Sequence, residues 1–233
     1  MIGYIESVET MGLVDGPGIR YVVFMQGCPL RCLYCHNPET WAERKENPTT
    51  PEELVEKILR FKPYFEDGGG VTFSGGEPLH QPEFLLEILK LCKEKGIHTC
   101  LDTSGVGKGL EEEILKYVDL VILDVKAIDP EEYTKITSRP IQASLNFLNL
   151  CQKMHKKMWL RQVIVPGLND DEEHILRFKK FIDSLENIEN VELLPYHLYG
   201  IQKYKKLGIP YRLDGVPAMD IDRCRDLQDL LTK

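Results

Sequence analysis

Cys28, Cys32 and Cys35 lie in the string GCPLRCLYCHNPETW with the spacing C-x3-C-x2-C. Three thiolates on one short loop can wrap a single iron–sulfur cluster. A four-iron cluster has four corners, so three cysteines leave one iron open to an outside ligand. An open metal position is what separates catalytic metal sites from closed structural ones. The loop therefore points to chemistry at the metal rather than to a staple for the fold.

The same cysteines admit other readings. Cys32-Leu33-Tyr34-Cys35-His36 matches C-x-x-C-H, the attachment signature of c-type haem. That chemistry belongs outside the cytoplasm, and the opening stretch MIGYIESVETMG has neither a basic segment nor an apolar one behind it. Haem would also leave Cys28 unused. Zinc held by the three cysteines and His36 would be a sound Cys3His set, but the usual second pair of ligands further along is missing. Seven cysteines without a secretory signal argue against disulfides and for a reducing compartment, the cytoplasm. Cys92, Cys100, Cys151 and Cys224 stand singly in apolar or helical stretches and read as buried, inert thiols.

A chain of 233 residues fits one domain, 1–233, better than two. No apolar run approaches the ~20 residues that span a bilayer, so no membrane contact is expected. With 29 Lys+Arg against 37 Asp+Glu the net charge is −8, which argues against a general nucleic-acid binder. The short basic clusters Lys153–Lys157 and Lys203–Lys206 read as solvated surface.

These motifs need a scaffold, and apolar runs alternating with amphipathic stretches supply one. Strands are predicted at YVVFMQ from Tyr21, VTFS from Val71, IHTCLDT from Ile97, LVILDV from Leu120, WLRQVIV from Trp159 and VELLPY from Val191. Several are apolar at consecutive positions, as parallel strands buried on both faces are. Helices are predicted over 51–61, 82–95, 110–117, 141–157, 171–185 and 219–231, the first with Thr50 as N-cap, the second stopping at Gly96. Six units of about 30 residues make an α/β fold, either an open sheet or an incomplete (β/α)6 TIM-like barrel of parallel strands with outer helices. A full eight-unit barrel needs about 250 residues, so the incomplete barrel is favoured.

The unusual residues fall at the C-terminal ends of those strands. Gly27-Cys28, Ser74-Gly75-Gly76-Glu77, Asp102-Thr103-Ser104-Gly105, Asp124-Val125-Lys126, Pro166-Gly167 and Tyr196-His197 all sit there. In β/α folds that edge carries the site. Taken singly each is ambiguous. Gly75-Gly76 can be a turn or a backbone that lets a ligand approach. Glu77 can accept a hydrogen bond from an amine. Asp102 and Asp124 can bind a cation or cap a helix. Lys126 can snorkel or meet a carboxylate, and His197 can be structural or a ligand contact. The string GVGKG at Gly105–Gly109 is not a phosphate-binding loop, because Asp102 stands where the first glycine belongs and Gly109 replaces Ser/Thr. Together the set suits an amino acid whose amine and carboxylate chelate the open iron while Gly75, Gly76, Glu77 and Lys126 hold the same groups.

The cysteine motif followed by a GGE strand end resembles the radical S-adenosylmethionine (SAM) superfamily. GPGIR at Gly16–Arg20, FMQGCPLRCLYCHNPETW, TFSGGEP, LDTSG, LDVK, VPG and LPYH narrow the resemblance to activases of glycyl radical enzymes over essentially the whole chain. The resemblance implies a four-iron, four-sulfur cluster on Cys28, Cys32 and Cys35, with SAM chelating the fourth iron. It implies reductive cleavage of SAM by an electron from flavodoxin or ferredoxin, and a deoxyadenosyl radical that takes hydrogen from a glycine of the partner. It assigns Tyr34, Cys35, His36, Gly76, Asp124, Val125, Lys126, Arg161 and His197 to SAM. Asp102, Thr103 and Asp124 match positions that hold a monovalent cation, and Asp15 and His36 would receive the glycine-bearing loop. Family members often carry Asn where Ser104 stands. No cysteine lies between Cys35 and Cys92, so the inserted ferredoxin-like module of some activases is not expected. That favours the formate-lyase type, with formate acetyltransferase as protein substrate and the activase acting as a monomer. Two other readings remain open here: a radical SAM enzyme with a small-molecule substrate, and a binding or electron-transfer protein with a structural metal.

Overall fold

The structure, a computed structural model, describes residues 1–66 and 68–232. One sheet holds eight strands, with β3 (Pro48–Thr49) at one edge, β1 (Gly3–Gly12) beside it, and the remaining six following in chain order. The parallel part comprises β2 (Arg20–Met25), β4 (Gly70–Gly75), β5 (His98–Thr103), β6 (Leu120–Asp124), β7 (Met158–Ile164) and β8 (Ile188–Pro195). All six predicted strands are present within a few residues of their expected bounds. Helices α1 (Pro51–Leu59), α2 (Pro82–Glu94), α3 (Glu111–Leu115), α5 (Gln142–Lys153), α6 (Glu172–Ile182) and α8 (Ile221–Thr232) follow the expected pattern, which gives the incomplete TIM-like barrel. Thr50 closes a reciprocal capping box with Glu53 at the start of α1.

Five elements depart from the expectation. β1 (Gly3–Gly12) runs antiparallel beside β2, and the two-residue β3 (Pro48–Thr49) pairs with it. β4 opens at Gly70, one residue ahead of the expected start at Val71. Two short helices also appear, α4 (Pro130–Thr137) and α7 (Ile201–Leu207). α4 carries the start signals that should have disclosed it: Asp129 accepts from the N–H groups of Glu131 and Glu132, with Pro130 at the first position.

The main core lies between the sheet and its helices, where Phe73, Leu85, Ile88, Leu101, Val121, Leu160 and Phe178 are fully buried. The opposite face of the strands lines the barrel interior. Low in that interior Cys100, Leu120 and Ile122 pack with Trp159. Arg20 also sits low and is fully buried, donating to Thr72 Oγ1 at 3.0 Å, to the Val71 carbonyl and to the Gly68 carbonyl at 3.2 Å. Higher up the interior becomes polar. Cys92, Cys151 and Cys224 are buried free thiols as expected, as is Cys100.

Two glutamines finish the sheet where strands are lacking. The Gln228 side chain accepts from Leu193 N–H (2.7 Å) and donates to the Val191 carbonyl (3.0 Å), occupying the outer edge of β8. Gln81 accepts from Tyr4 N–H (2.8 Å) and donates to the carbonyls of Tyr4 and Gln26 (2.9 Å each), tying β1 to the end of β2. Gln81→Ala should therefore cost on the order of 2 kcal/mol by leaving these backbone groups unpaired, read as a lowered urea midpoint. An unchanged midpoint would show that water replaces the amide at no cost.

Candidate active site

The cysteine loop follows β2 and has almost no regular structure of its own. Its backbone is held from outside. Gly27 N–H donates to the Thr40 carbonyl (2.8 Å) and Cys28 N–H to the Trp41 carbonyl (3.2 Å), which closes the loop on itself. Arg31 N–H and Leu33 N–H donate to the last carbonyls of α4, Thr137 (2.8 Å) and Ile136 (2.9 Å). Tyr204 of α7 donates its hydroxyl to the Cys35 carbonyl at 3.0 Å. Lys203 donates to Asn37 Oδ1 (2.7 Å) and pairs with Glu39 (2.6 Å). Lys203 is thus an anchor of the loop, contrary to its reading as solvated surface.

All three thiols line one cavity of about 200 Å³, together with Tyr34, Gly75, Gly76, Asp102, Thr103, Asp124 and Lys126. Burial pushes Cys28 well up, Cys32 up to about 11 and Cys35 up as well. Such thiols need a strong positive partner to ionise, and iron is one. Trp41 Nε1–H donates to Cys35 Sγ at 3.2 Å, a bond that favours the thiolate. Among the described residues the buried Tyr34 hydroxyl has no hydrogen-bond partner. Among the described residues no three His, Cys, Asp or Glu side chains gather around one point as a lone ion requires. Three thiols lining one cavity fit a four-iron group with its fourth corner left to an outside ligand.

At the strand ends the structure assigns local work to several expected contacts. Gly75 has φ +111°, and a Cβ there would collide with Met25 N; one at Gly76 would meet Gly27 O. These glycines let strand ends pack closely. Glu77 differs from its reading as an amine acceptor. It is fully buried, and its oxygens accept from Thr103 Oγ1 (2.5 Å), Ser104 N–H (2.9 Å), Ser104 Oγ (2.5 Å) and Leu79 N–H (3.1 Å). Burial raises its pKa and those bonds offset the rise. Glu77 ties β4 to β5, and Ser104 finds its role in holding it. The Thr103 hydroxyl donates to Glu77 and accepts from Gly105 N–H (2.9 Å). Val125 spends its backbone on Arg161 O (2.8 Å) and the Gln162 amide (3.3 Å).

The charged residues form a chain across the interior. Lys126 Nζ lies 2.5 Å from Asp124 Oδ2 and 5.8 Å from the Tyr34 ring centroid. Burial works to lower Lys126, but Asp124, Cys32 and Tyr34 outweigh it and hold it well above its ordinary value. Asp102 accepts from Ser74 Oγ at 2.6 Å. Burial, then Asp124, push Asp102 up to about 7, against Arg161 and Ser74. Arg161 donates to Glu192 Oε2 (2.9 Å) and to the Val14 carbonyl.

Beside the cysteine cavity opens a wider cleft of about 1230 Å³, walled by β1, β7 and β8 and reaching Asp15, Tyr34, His36, Asp102, Arg161 and His197. The His36 and His197 rings meet edge to face at 4.5 Å on its rim, and Tyr199 packs on His197 at 4.8 Å. Both histidines are exposed, so His197 is not a buried structural residue. Burial raises Asp15, with Arg161 opposing. Cysteine loop, strand-end charges and the two histidines are thus one continuous site.

The description "Radical SAM superfamily" fits residues 22–178. The chain belongs to this superfamily. It is 54% identical over 99% of its length to a pyruvate formate-lyase-activating enzyme of Clostridium pasteurianum, covering 98% of that protein. A protein of the same name from Staphylococcus epidermidis is 46% identical, with 96% and 93% covered. A solved domain of a pyruvate-formate lyase-activating enzyme from Bacteroides vulgatus matches 71% of this chain and 94% of its own at 29% identity and TM-score 0.57. Streptococcus suis SuiB, bound to its precursor peptide SuiA, shares the fold at 17% identity and TM-score 0.68, over 91% of this chain and 44% of its own. Radical SAM proteins work with a 4Fe–4S cluster and SAM. Trp41 and the anchors on α4 and α7 are the residues that sequence reasoning missed; Trp41 ends the CHNPETW string and carried a signal without a role.

The raised Asp102 has a testable consequence. Folding favours its protonated form, so its contribution is full at acid pH and is lost as pH rises from the ordinary carboxylate range through about 7. Without ligands, Asp102→Asn should gain urea stability over the parent chain as pH is raised through that window. Parallel pH profiles for the two proteins would contradict the assignment.

Proposed function

We propose that this chain activates formate acetyltransferase by installing a radical on one of its glycines. The observation that carries the reading is the junction of the three-thiol cavity with the wide, open cleft. Support comes from the two relatives named pyruvate formate-lyase-activating enzyme that align over nearly the full chain.

Cys28, Cys32 and Cys35 would hold the cluster, and Trp41 would tune it through the sulfur of Cys35. When bound, the cluster and SAM supply the one-electron cleavage that gives the site its hydrogen-abstracting power. The protein supplies orientation and a dry pocket. Lys126 is poised for the SAM carboxylate, a bond now made by Asp124. Asp102 and Asp124 repel across the strand ends, and a monovalent cation with Thr103 would relieve them. Tyr34, His36, Gly76, Val125, Arg161 and His197 would complete the SAM contacts, while Gly75 and Glu77 act by holding strand ends in place. Asp15 and His36 line the cleft where the glycine-bearing loop would enter. That cleft exceeds the ~300–1,000 Å³ of ordinary small-ligand pockets, which favours a protein segment over a small molecule.

Residues 1–233 would form a single radical SAM unit acting as a monomer, with flavodoxin or ferredoxin as electron donor. Among the described residues no helix is long and apolar enough to cross a membrane.

Anaerobic reconstitution with SAM, dithionite and inactive formate acetyltransferase should give a glycyl radical doublet by electron paramagnetic resonance. Cys28→Ala should abolish both the doublet and deoxyadenosine formation. Deoxyadenosine without a doublet would keep the radical chemistry and reject the partner; neither product from an intact cluster would reject the reading altogether.

A further inference from the structure

The chain is acidic overall, yet its acids avoid three segments. No Asp or Glu occurs between Asp15 and Glu39, between Glu132 and Asp170, or between Glu192 and Asp214. The fold brings parts of all three together around the cysteine loop. Arg31 lies within the loop and donates to the carbonyls of Cys28 (2.8 Å) and Leu30 (2.7 Å), with its head 4.9 Å from the Trp41 ring. Arg139, just beyond α4, donates through Nε to the Pro29 carbonyl at 3.0 Å. Arg212, beyond α7, reaches Ser138 Oγ at 3.2 Å. All three are exposed, and among the described residues none makes an ion pair.

Three nearby acids are otherwise engaged. Glu39 pairs with Lys203, Glu43 lies 3.7 Å from His80, and Glu132 pairs with Arg177. Asp214 follows Arg212 and is the acid closest to it in sequence. The three arginines therefore form a basic collar: Arg31 and Arg139 touch the backbone of Cys28, Pro29 and Leu30 directly, and Arg212 joins them through Ser138, the residue before Arg139. None of the three arginines lines either cavity, although Cys28, Leu30 and Trp41 beneath them line the smaller one.

We infer that this collar is the docking surface for a small acidic one-electron carrier protein. The inference rests on the proposed function, which requires an electron to reach the cysteine loop from outside. Charge complementarity argues for this occupant. A basic patch on an otherwise acidic protein steers an acidic carrier to one place. Contact with the Cys28 carbonyl puts that place a few bonds from a cluster thiolate, where electron transfer needs it. The wide cleft, with Glu9, Asp15 and Glu192 among its lining, offers such a carrier no comparable charge.

The test uses the reconstituted holoenzyme with SAM and measures deoxyadenosine formation with two reductants, photoreduced flavodoxin and dithionite. Arg212→Gln and the pair Arg139→Gln/Arg212→Gln are compared with the parent chain. At low salt the flavodoxin-driven rate should fall about tenfold in the pair, within the range of electrostatic steering, and less in the single variant. Added salt should shrink the difference, and the dithionite-driven rate should stay unchanged. An unchanged flavodoxin-driven rate in both variants overturns the proposal. Equal losses with both reductants, in the single variant as well as the pair, also overturn it, because the arginines would then only support the loop. A glycyl radical yield that falls under dithionite while SAM cleavage persists would assign the collar to the partner enzyme instead. If the parent chain cleaves no SAM with dithionite, the proposed function itself fails.

Discussion

A loop that must present three sulfurs to one cavity cannot spend its backbone on a helix or a sheet. Its N–H and C=O groups still have to be paired, because an orphaned buried amide costs about 1–3 kcal/mol. The rest of the site depends on how this is solved. The end of α4 offers its unused carbonyls to Arg31 and Leu33, which helix geometry leaves free for any donor. The Tyr204 hydroxyl and the Lys203 ammonium reach from α7 to Cys35 and Asn37. Arg31 turns back on the carbonyls of its own loop. Both helices are short, and neither is needed to complete the barrel. Their positions make sense as scaffolding for the loop.

A second constraint is charge. Asp102, Asp124, Lys126 and Arg161 share a poorly hydrated interior, where unpaired charge is expensive. Each is balanced by a neighbour: Lys126 on Asp124, Arg161 on Glu192, and Ser74 on Asp102. The balance is imperfect at Asp102, whose carboxyl is pushed up to about 7. An incoming carboxylate or cation therefore meets groups already oriented toward the cavity, with partners that can be exchanged rather than built. Pre-formed polar groups of this kind keep the cost of organising a site low at the moment of binding.

The sequence was informative where one chemical rule applied to one residue. Consecutive apolar runs disclosed the six parallel strands, and the cysteine spacing disclosed the loop. The strand-end positions of Asp102, Asp124, Lys126 and His197 followed from the general placement of sites in β/α folds. What escaped were interactions between distant segments. β1 is buried at Gly3 and Ile5, breaks register before Ser7 and is exposed at Ser7, Val8 and Glu9, so it carries no periodic or continuous apolar run to mark it. α7 is seven residues long between two glycines, so its lysines looked like solvated surface. Glu77 was legible as a charge beside two glycines, but its partners lie 26 and 27 positions away, at the end of β5 and just beyond it. Only the fold could reveal that this carboxylate is saturated by a threonine and a serine. The Trp41 bond to Cys35 was equally hidden, since nothing in the string fixes where the indole turns.

The same division explains why the sheet stops short of closing. A closed barrel of parallel strands has an interior filled by side chains, with access only from the strand ends. Here β1 and β8 remain apart and their facing residues wall the wide cleft. Gln228 occupies the outer edge of β8, so the gap is neither zipped shut nor left as a bare strand edge open to aggregation. The gap gives lateral access to His36, Asp15 and the cysteine cavity behind them. A small substrate would gain little from that opening and would lose protection from water. A chain segment that remains attached to a large partner needs such an opening, because it must enter sideways and leave again intact. Cleft width and cysteine chemistry therefore point the same way: the architecture suits a radical made in a confined cavity and delivered to a macromolecule at its open flank.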